Sequence, residues 1–228
     1  MREGSVGAGR VLLAGALVSL VGFLTLTVIV TQHRFDGADR LARALVHRSH
    51  HPLLQSPMEA ASFLGGPPGQ VTVVVLGSAV LWRRRALLLP MVMAGAGILQ
   101  FLAKWAVDRP RPNLDPTGFP SAHVLSLVVL LGCLAYVVGT SEARRGWQRL
   151  GVGACVAIVC TVAFSRMYLD AHWLSDVLGG LSIGLAYLLV VLWLIIRLTS
   201  AQRAQNFTSS RLVTSWPPKD ESWGESRP

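Results

Sequence analysis

Residues 150–196 read LGVGACVAIVCTVAFSRMYLDAHWLSDVLGGLSIGLAYLLVVLWLII and contain two long apolar runs. The runs cover residues 150–165 and 177–196, and neither holds an Asp, Glu, Lys or Arg. All the charged side chains of the stretch lie between the runs: Arg166, Asp170 and Asp176. An apolar run of about 20 residues can cross the hydrocarbon core of a bilayer. The stretch therefore predicts two membrane helices joined by a polar turn.

Four further uncharged runs precede this stretch and extend the pattern towards the N-terminus. They place the first span at residues 11–32, the second at 67–82, the third at 86–103 and the fourth within 116–141. We begin the second span at Pro67 because proline suits the first turn of a helix. The quoted runs are then the fifth and sixth spans. The predicted fold class is all-α, a polytopic membrane protein with six transmembrane helices.

The composition excludes an ordinary water-soluble protein. Of the 228 residues, 52% are apolar and 14% are charged, with a net charge of +9. A soluble domain would carry about 25% charged residues. The six spans leave no room for a separate soluble domain, so we predict one membrane domain at residues 1–198. The polar segment 199–228 is predicted to be a disordered cytoplasmic tail.

Two short helices are predicted between the first and second spans. Residues 36–46 place their apolar side chains on one helical face, which indicates an amphipathic helix along the membrane surface. Asp36 could cap this helix, and Asp39 lies three residues further on. Residues 56–59, Ser-Pro-Met-Glu, have the pattern of a capping box and predict a second helix that ends at Gly65.

The placement of Lys and Arg predicts that both termini face the cytoplasm. Arg83-Arg84-Arg85 follows the second span, and Arg144, Arg145 and Arg149 lie between the fourth and fifth spans. Basic residues in short loops favour the cytoplasmic side of a membrane. We therefore interpret these clusters as topology signals, and no nucleic-acid partner is expected.

Side chains that could carry chemistry occur at four span ends on the opposite, outer face. Lys104 and Arg111 follow the third span, and Ser121 and His123 precede the fourth. Arg166 follows the fifth span, and His172 and Asp176 precede the sixth. Charged groups at membrane helices are costly, and several together indicate function. The three cations and the backbone amides that open the fourth helix predict a site for an anion. Arginine forks suit phosphate oxygens best.

The two histidines predict a covalent reaction at this anion site. His172 and Asp176 are four residues apart, so the carboxylate can hold one ring nitrogen while the other attacks phosphorus. His123 could protonate the leaving oxygen. This combination predicts phosphoryl transfer through a phosphohistidine, with neither a cofactor nor a metal. Zinc is the rival interpretation, and the surrounding cations disfavour it because they repel a divalent ion.

The same residues match the signature of a known family. Lys104-x6-Arg111-Pro112, Pro120-Ser121-Ala122-His123 and Ser165-Arg166-x5-His172-x3-Asp176 resemble the three motifs of the type 2 phosphatidic acid phosphatases, also called lipid phosphate phosphatases. The resemblance implies a four-helix catalytic core with His172 as the nucleophile, Asp176 as its orienting partner and His123 as the proton donor. It also implies a phosphate-binding set: Lys104, Arg111, Ser121, Ala122 and Arg166. Ala122 stands where the family usually has glycine, and alanine still offers its peptide N–H.

The resemblance implies a lipid phosphate or diphosphate substrate that is taken from the surrounding membrane lipids. A polyprenyl diphosphate in the outer leaflet fits the predicted side most directly, while phosphatidylglycerophosphate, phosphatidate and diacylglycerol pyrophosphate stay open. A phosphotransferase acting on a lipid or glycan acceptor also stays open. A non-enzymatic lipid-binding protein is disfavoured because binding alone needs cations and no nucleophile.

Smaller roles are predicted for a histidine cluster and for several charged residues near the motifs. The cluster, His47, His50 and His51, could hold a metal, although a loop at the membrane surface explains it equally well. The charged residues are assigned as follows: Asp108 and Arg109 pair with each other or shape the entrance, and Asp115 and Asp170 cap loops.

We expect cysteine labelling in intact cells to place the motifs outside the cytoplasm. In a background without the native cysteines, Thr117→Cys should react with an impermeant thiol reagent and Arg84→Cys should not. The reverse pattern would contradict the orientation.

Overall fold

The computed structural model describes residues 2–80, 88–107, 109–114 and 116–214. These residues form helices joined by turns, with no strand among them. In chain order the helices are α1 (Arg2–Thr31), α2 (Asp36–His47), α3 (Pro52–Gly65), α4 (Pro67–Val80), α5 (Leu88–Ala106), α6 (Ala122–Gly139), α7 (Arg145–Tyr168) and α8 (Leu174–Thr214). The all-α prediction is confirmed.

Five of these helices are long and apolar enough to cross a membrane. They are α1, α5, α6, α7 and α8, and α4 is a shorter apolar helix at the place of the predicted second span. At 1.5 Å per residue, α4 is about 21 Å long, which is less than the thickness of a bilayer core. The predicted end of that span at residue 82 and the arginine cluster at 83–85 lie outside the described residues. Large apolar side chains such as Val18 and Phe101 are exposed, as expected for lipid-facing positions.

The helices pack around α6, which contacts α5, α7 and α8, while α1 packs along α8. Apolar side chains of α1, α5, α6 and α8 form the main core: Phe23, Val30, Val92, Ala96, Leu125, Val129, Ile183 and Val191. Gly180, in the second turn of α8, allows this helix to approach the start of α6 closely, because a Cβ atom there would lie 2.6 Å from the carbonyl oxygen of Ser121. This approach brings two motif-bearing helix ends together.

Both helices predicted between α1 and α4 are present, but their N-termini differ from the prediction. The N-cap of α2 is Phe35, and Asp36 does not cap the helix but lies in its first turn. The capping-box prediction for α3 is wrong, because the helix begins earlier at Pro52. There the proline occupies the first turn and His51 Nδ1 accepts a hydrogen bond from Leu53 N at 3.2 Å. Because the helix begins upstream of the predicted capping box, Pro57 lies inside the helix.

The polar segment after residue 198 also differs from the prediction. The helix α8 continues to Thr214, so residues 199–214 are helical and not disordered. Ala, Gln and Arg dominate residues 201–205 and are good helix formers, and residues 199–216 contain no Gly or Pro. Residues 215–228 lie outside the described part of the chain.

Candidate active site

The predicted site residues lie at one end of the bundle, where four helix ends meet. Lys104 is in the last turn of α5, Arg166 is in the last turn of α7, and Asp176 is in the first turn of α8. Ser121 is the N-cap of α6, and its backbone N–H donates to the carbonyl of Asp176 at 2.9 Å. Ala122 and His123 open α6. The α6 and α8 ends are thus joined directly through the backbone.

His172 and Asp176 form a buried pair. Nδ1 of His172 lies 3.2 Å from Oδ2 of Asp176, and the same oxygen accepts a hydrogen bond from Trp173 N at 3.0 Å. His172 is 3% exposed and Asp176 is fully buried. The turn before α8 is fixed by the backbone N–H of His172, which donates to the carbonyl of Arg166 at 3.1 Å. Since Asp176 contacts Nδ1, Nε2 is the ring nitrogen that could contact a ligand.

Burial lowers the pKa of His172, and the nearby charges of Arg166 and Arg111 lower it further. The hydrogen bond and the negative charge of Asp176 act in the opposite direction but do not cancel these effects. The pKa of His172 therefore lies below its ordinary value. A neutral imidazole is the nucleophilic form, so this environment favours attack at neutral pH.

The cations that the sequence predicted lie around the two histidines. His123 is within electrostatic range of Lys104, Arg111, Arg166 and His172. A Cβ atom at Gly118 would lie 3.1 Å from Asp176 Oδ2 and 3.2 Å from Arg111 Cγ, so these two side chains flank the same small space. The Nζ atom of Lys104 donates to the carbonyl of Thr117 in the same loop. The arrangement concentrates positive charge where the helix ends meet.

Two buried donors at this site have no hydrogen-bond partner among the described residues. They are Ser121 Oγ and Arg166 Nε. Leaving a buried donor unpaired costs about 1–3 kcal/mol, so such groups usually face a ligand or solvent. The side chain of Ser121 does not cap α6, and the first amides of a helix have no partner within the helix. Such N–H and O–H donors beside three cations have the chemistry to bind an anion.

The structure adds residues of α3 that sequence reasoning missed. Ser62 is buried, and its Oγ accepts a hydrogen bond from Arg166. A Cβ atom at Gly66 would lie 3.4 Å from His123 Nε2, so the end of α3 lies against that imidazole. These contacts join residues far apart in the chain, and no local pattern marks them.

The polar face of α2, and not its apolar face, is turned towards the protein. Asp36, Asp39, Arg43 and His47 contact the loops around the site, whereas Leu41 and Leu45 are exposed. Arg109, which could have paired with Asp108, instead contacts Asp36, Asp39 and Asp176, and Asp108 lies outside the described residues. The spacing of polar residues at 36, 39, 43 and 47 is the signal that could have indicated this face.

Asp170 and the histidine cluster form a separate set of contacts. Asp170 does not act as a simple loop cap, because it pairs with Arg43 Nε at 2.8 Å and with His47 Nε2 at 2.9 Å. Partial burial acts to raise the pKa of Asp170, but the hydrogen bonds from Arg43 and His47 outweigh it and bring that pKa below its ordinary value. His50 Nε2 lies 2.9 Å from the carbonyl of Tyr168.

No group of three His, Cys, Asp or Glu residues that could hold a metal occurs within the part of the chain that the structure describes. The histidines at 47 and 50 stack on each other and contact α7 and its following loop, while His51 caps α3. Asp115, the other predicted loop cap, lies outside the described residues.

The fold and the site together have the features of a multi-pass membrane phosphatase. Comparison with family models identifies the PAP2 superfamily over residues 85–200, and the chain belongs to this superfamily. The matched region covers the third to sixth predicted spans and leaves α1, α2, α3 and α4 outside it. Membership supports a hydrolase acting on phosphate groups.

Individual relatives are lipid phosphatases. Phosphatidylglycerophosphatase B of Bacillus subtilis (strain 168) is 24% identical over 180 residues, which cover 74% of this chain and 89% of that protein. The putative undecaprenyl-diphosphatase YbjG of Escherichia coli (strain K12) is 29% identical over 50% of this chain and 63% of its own length. A crystal structure of a transmembrane PAP2-type phosphatidylglycerolphosphate phosphatase from Bacillus subtilis has the same fold. It has a TM-score of 0.71 and 24% identity, and the match covers 77% of this chain and 93% of the other.

Replacing Arg166 with lysine should lower kcat/KM about 10- to 100-fold, although the charge is kept. Lysine cannot supply the two-pronged contact of a guanidinium, and a hydrogen bond to a charged group contributes about 1.5–3 kcal/mol. Phosphate release from a lipid phosphate in detergent measures the effect. The matched control is Arg40→Lys, an exposed arginine on α2, which should behave like the parent. An equally active Arg166→Lys variant would contradict a guanidinium contact with phosphate.

Proposed function

We propose that this protein is an integral membrane phosphatase that hydrolyses lipid phosphates or diphosphates through a phosphohistidine at His172. The observation that carries the proposal is the buried His172–Asp176 pair beside unpaired buried donors of Ser121 and Arg166. A nucleophile, donors for phosphate oxygens and a second histidine meet at the end of a membrane bundle. Binding alone would not require the nucleophile.

The proposed first step transfers the phosphoryl group from the lipid to His172. Nε2 of His172 attacks the phosphorus atom, and the bond between phosphorus and the lipid oxygen breaks. His123 gives its proton to that leaving oxygen. The charge on the remaining phosphoryl oxygens is met by the phosphate-binding set: Lys104, Arg111, Ser121, Arg166 and the first amides of α6, including that of Ala122.

In the proposed second step, water attacks the phosphohistidine. His123 now takes a proton from the water, so it returns to its initial form as the P–N bond breaks. Inorganic phosphate leaves and His172 regains its neutral, Asp176-bound form. Asp176 keeps the same hydrogen bond throughout, which orients the ring and stabilises positive charge on it during transfer.

The proposed mechanism needs no metal. Lys104, Arg111 and Arg166 would stabilise the negative charge of the phosphoryl oxygens, as a divalent ion does in metal-dependent phosphatases. Asp176 already serves His172. The cations of the pocket would also repel a metal ion bound beside them.

The proposed substrates have lipid tails because the site lies at the end of helices with exposed apolar surfaces. A headgroup can enter the pocket while its tail stays in the bilayer. We place the site on the outer side of the cell membrane, where a polyprenyl diphosphate is presented directly. Phosphatidylglycerophosphate is the alternative that the name of the Bacillus relative supports.

A panel of lipid phosphates and diphosphates, assayed in detergent with excess EDTA, tests this proposal. The parent should release phosphate and His172→Ala should not, because the variant lacks the proposed nucleophile. His123→Ala should slow the reaction about 10²- to 10⁴-fold on a lipid monophosphate and less on a diphosphate, whose leaving group needs the proton less.

His33→Ala, at a histidine whose side chain is 81% exposed, is the control and should keep parental turnover. Turnover by His172→Ala comparable with the parent would overturn the assignment of the nucleophile. Activity that disappears in EDTA and returns with magnesium would overturn the metal-free mechanism.

A further inference from the structure

Asp39 is a buried carboxylate on a helix outside the matched family region. It is 2% exposed, although its neighbours Ala38 and Arg40 are exposed. Its Oδ1 accepts a hydrogen bond from the backbone N–H of Ser175 at 2.9 Å, and its Oδ2 accepts one from Ser175 Oγ at 2.7 Å. Ser175 precedes Asp176 in the first turn of α8. The carboxylate of Asp39 therefore fixes, from α2, the turn that presents Asp176.

Arg109 connects Asp39 to Asp176. One terminal nitrogen of its guanidinium donates to Asp39 Oδ2 at 2.7 Å and to Asp36 Oδ1 at 3.2 Å. The other donates to Ser175 Oγ and lies 3.5 Å from Asp176 Oδ1, the longest of these contacts. The side chain of Arg109 is only 11% exposed, so solvent screens these charges weakly. The two carboxylates of α2 therefore make shorter contacts with Arg109 than Asp176 does.

How closely Arg109 contacts Asp176 affects His172, because Asp176 is the hydrogen-bond partner of His172. The groups that act on the imidazole come from every element around it: Asp176 of α8, Arg166 of α7, His123 of α6 and Arg111 of the preceding loop. Among them, Asp176 alone favours the protonated ring. A closer pairing of Arg109 with Asp176 would weaken the hydrogen bond of Asp176 to His172. Although a lower pKa keeps the ring neutral, the weaker hydrogen bond would leave less electron density on Nε2 and make the neutral imidazole a poorer nucleophile.

We propose that Asp39 is a positioning residue for the reaction: by holding Arg109 and the first turn of α8, it keeps the carboxylate of Asp176 committed to His172. The proposal rests on the phosphatase function proposed above. It makes α2 part of the functional unit, whereas the family region begins only at residue 85. The surface helix then acts as a support for the active site through its polar face.

The test compares Asp39→Asn, the double variant Asp39→Asn/Arg109→Gln and the control Arg40→Gln, all as full-length protein in detergent. Asparagine keeps the size of the side chain and an acceptor for Ser175 N, but it removes the charge that holds Arg109. Two readouts are taken: kcat and KM for phosphate release, and an NMR titration of ¹³C-labelled histidine. The signal of His172 is assigned by its loss in His172→Gln.

Asp39→Asn should lower kcat about tenfold and change KM less than about threefold, because the substrate contacts are retained. The midpoint of the His172 titration should fall by about half a pH unit or more, since a negative charge is lost and Arg109 moves towards Asp176. Removing Arg109 as well should return both values towards those of the parent, and Arg40→Gln should not change either. A merely structural role of Asp39 would change the yield of folded protein and not the titration of His172.

An unchanged His172 titration in folded Asp39→Asn would overturn the proposal, as would a double variant that is as impaired as the single one. If Asp39→Asn does not fold, the double variant decides: folding and turnover support the proposal, and failure to fold contradicts it. The two hypotheses fail separately. A parent that releases no phosphate from any lipid contradicts the phosphatase function, whereas the His172 titration still reports on Asp39.

Discussion

Asp176 is fully buried, and its carboxylate and backbone carbonyl together contact three parts of the chain. One oxygen holds His172 and the backbone of Trp173, and the other faces Arg109. Its backbone carbonyl accepts the N–H of Ser121, which joins α8 to the start of α6. A buried carboxylate is stable only when such partners surround it. The position of the imidazole, the approach of α6 and the contact with α2 therefore depend on one another.

The opposite charge is concentrated around this pair. Lys104, Arg111 and Arg166 come from three different segments and repel one another when the pocket holds no anion. The packing of the helices offsets this repulsion and keeps the cations close together. Gly180 contributes because it allows α8 to approach α6. A phosphate group would offset the repulsion and supply partners for Ser121 and Arg166. Substrate binding should thus stabilise this end of the bundle, which is a common compromise at functional sites.

The sequence predicts much of this arrangement because the decisive signals are local. Uncharged runs such as 177–196 indicate the membrane helices. The spacing of four residues between His172 and Asp176 indicates that their side chains can contact each other. The end of α8 was missed because polarity was taken as disorder, although Ala, Gln and Arg after residue 200 also favour a helix. The start of α3 was missed because Pro52 offered an equally good first turn upstream of the predicted one.

Contacts between distant residues were not predictable in the same way. Asp39 and Ser175 are separated by 136 positions, and the sequence around each looks ordinary for a surface helix and for a helix start. The exposed Leu41 and Leu45 fit the predicted helix along the membrane surface, but the amphipathic pattern does not say which residues the polar face contacts. In a membrane the apolar face has lipid to contact, so the polar face can pack on the protein. The contact of Ser62 with Arg166 is equally distant in sequence and likewise left no pattern.

A structure of the protein in lipid nanodiscs with vanadate bound tests the phosphohistidine chemistry most directly. Vanadate can adopt the five-coordinate geometry of phosphorus during transfer. The vanadium should bond to Nε2 of His172, with its equatorial oxygens contacting Lys104, Arg111, Ser121 and Arg166 and with His123 near the opposite apical oxygen. Vanadate that binds away from His172, or that is held through a divalent ion, would contradict this chemistry.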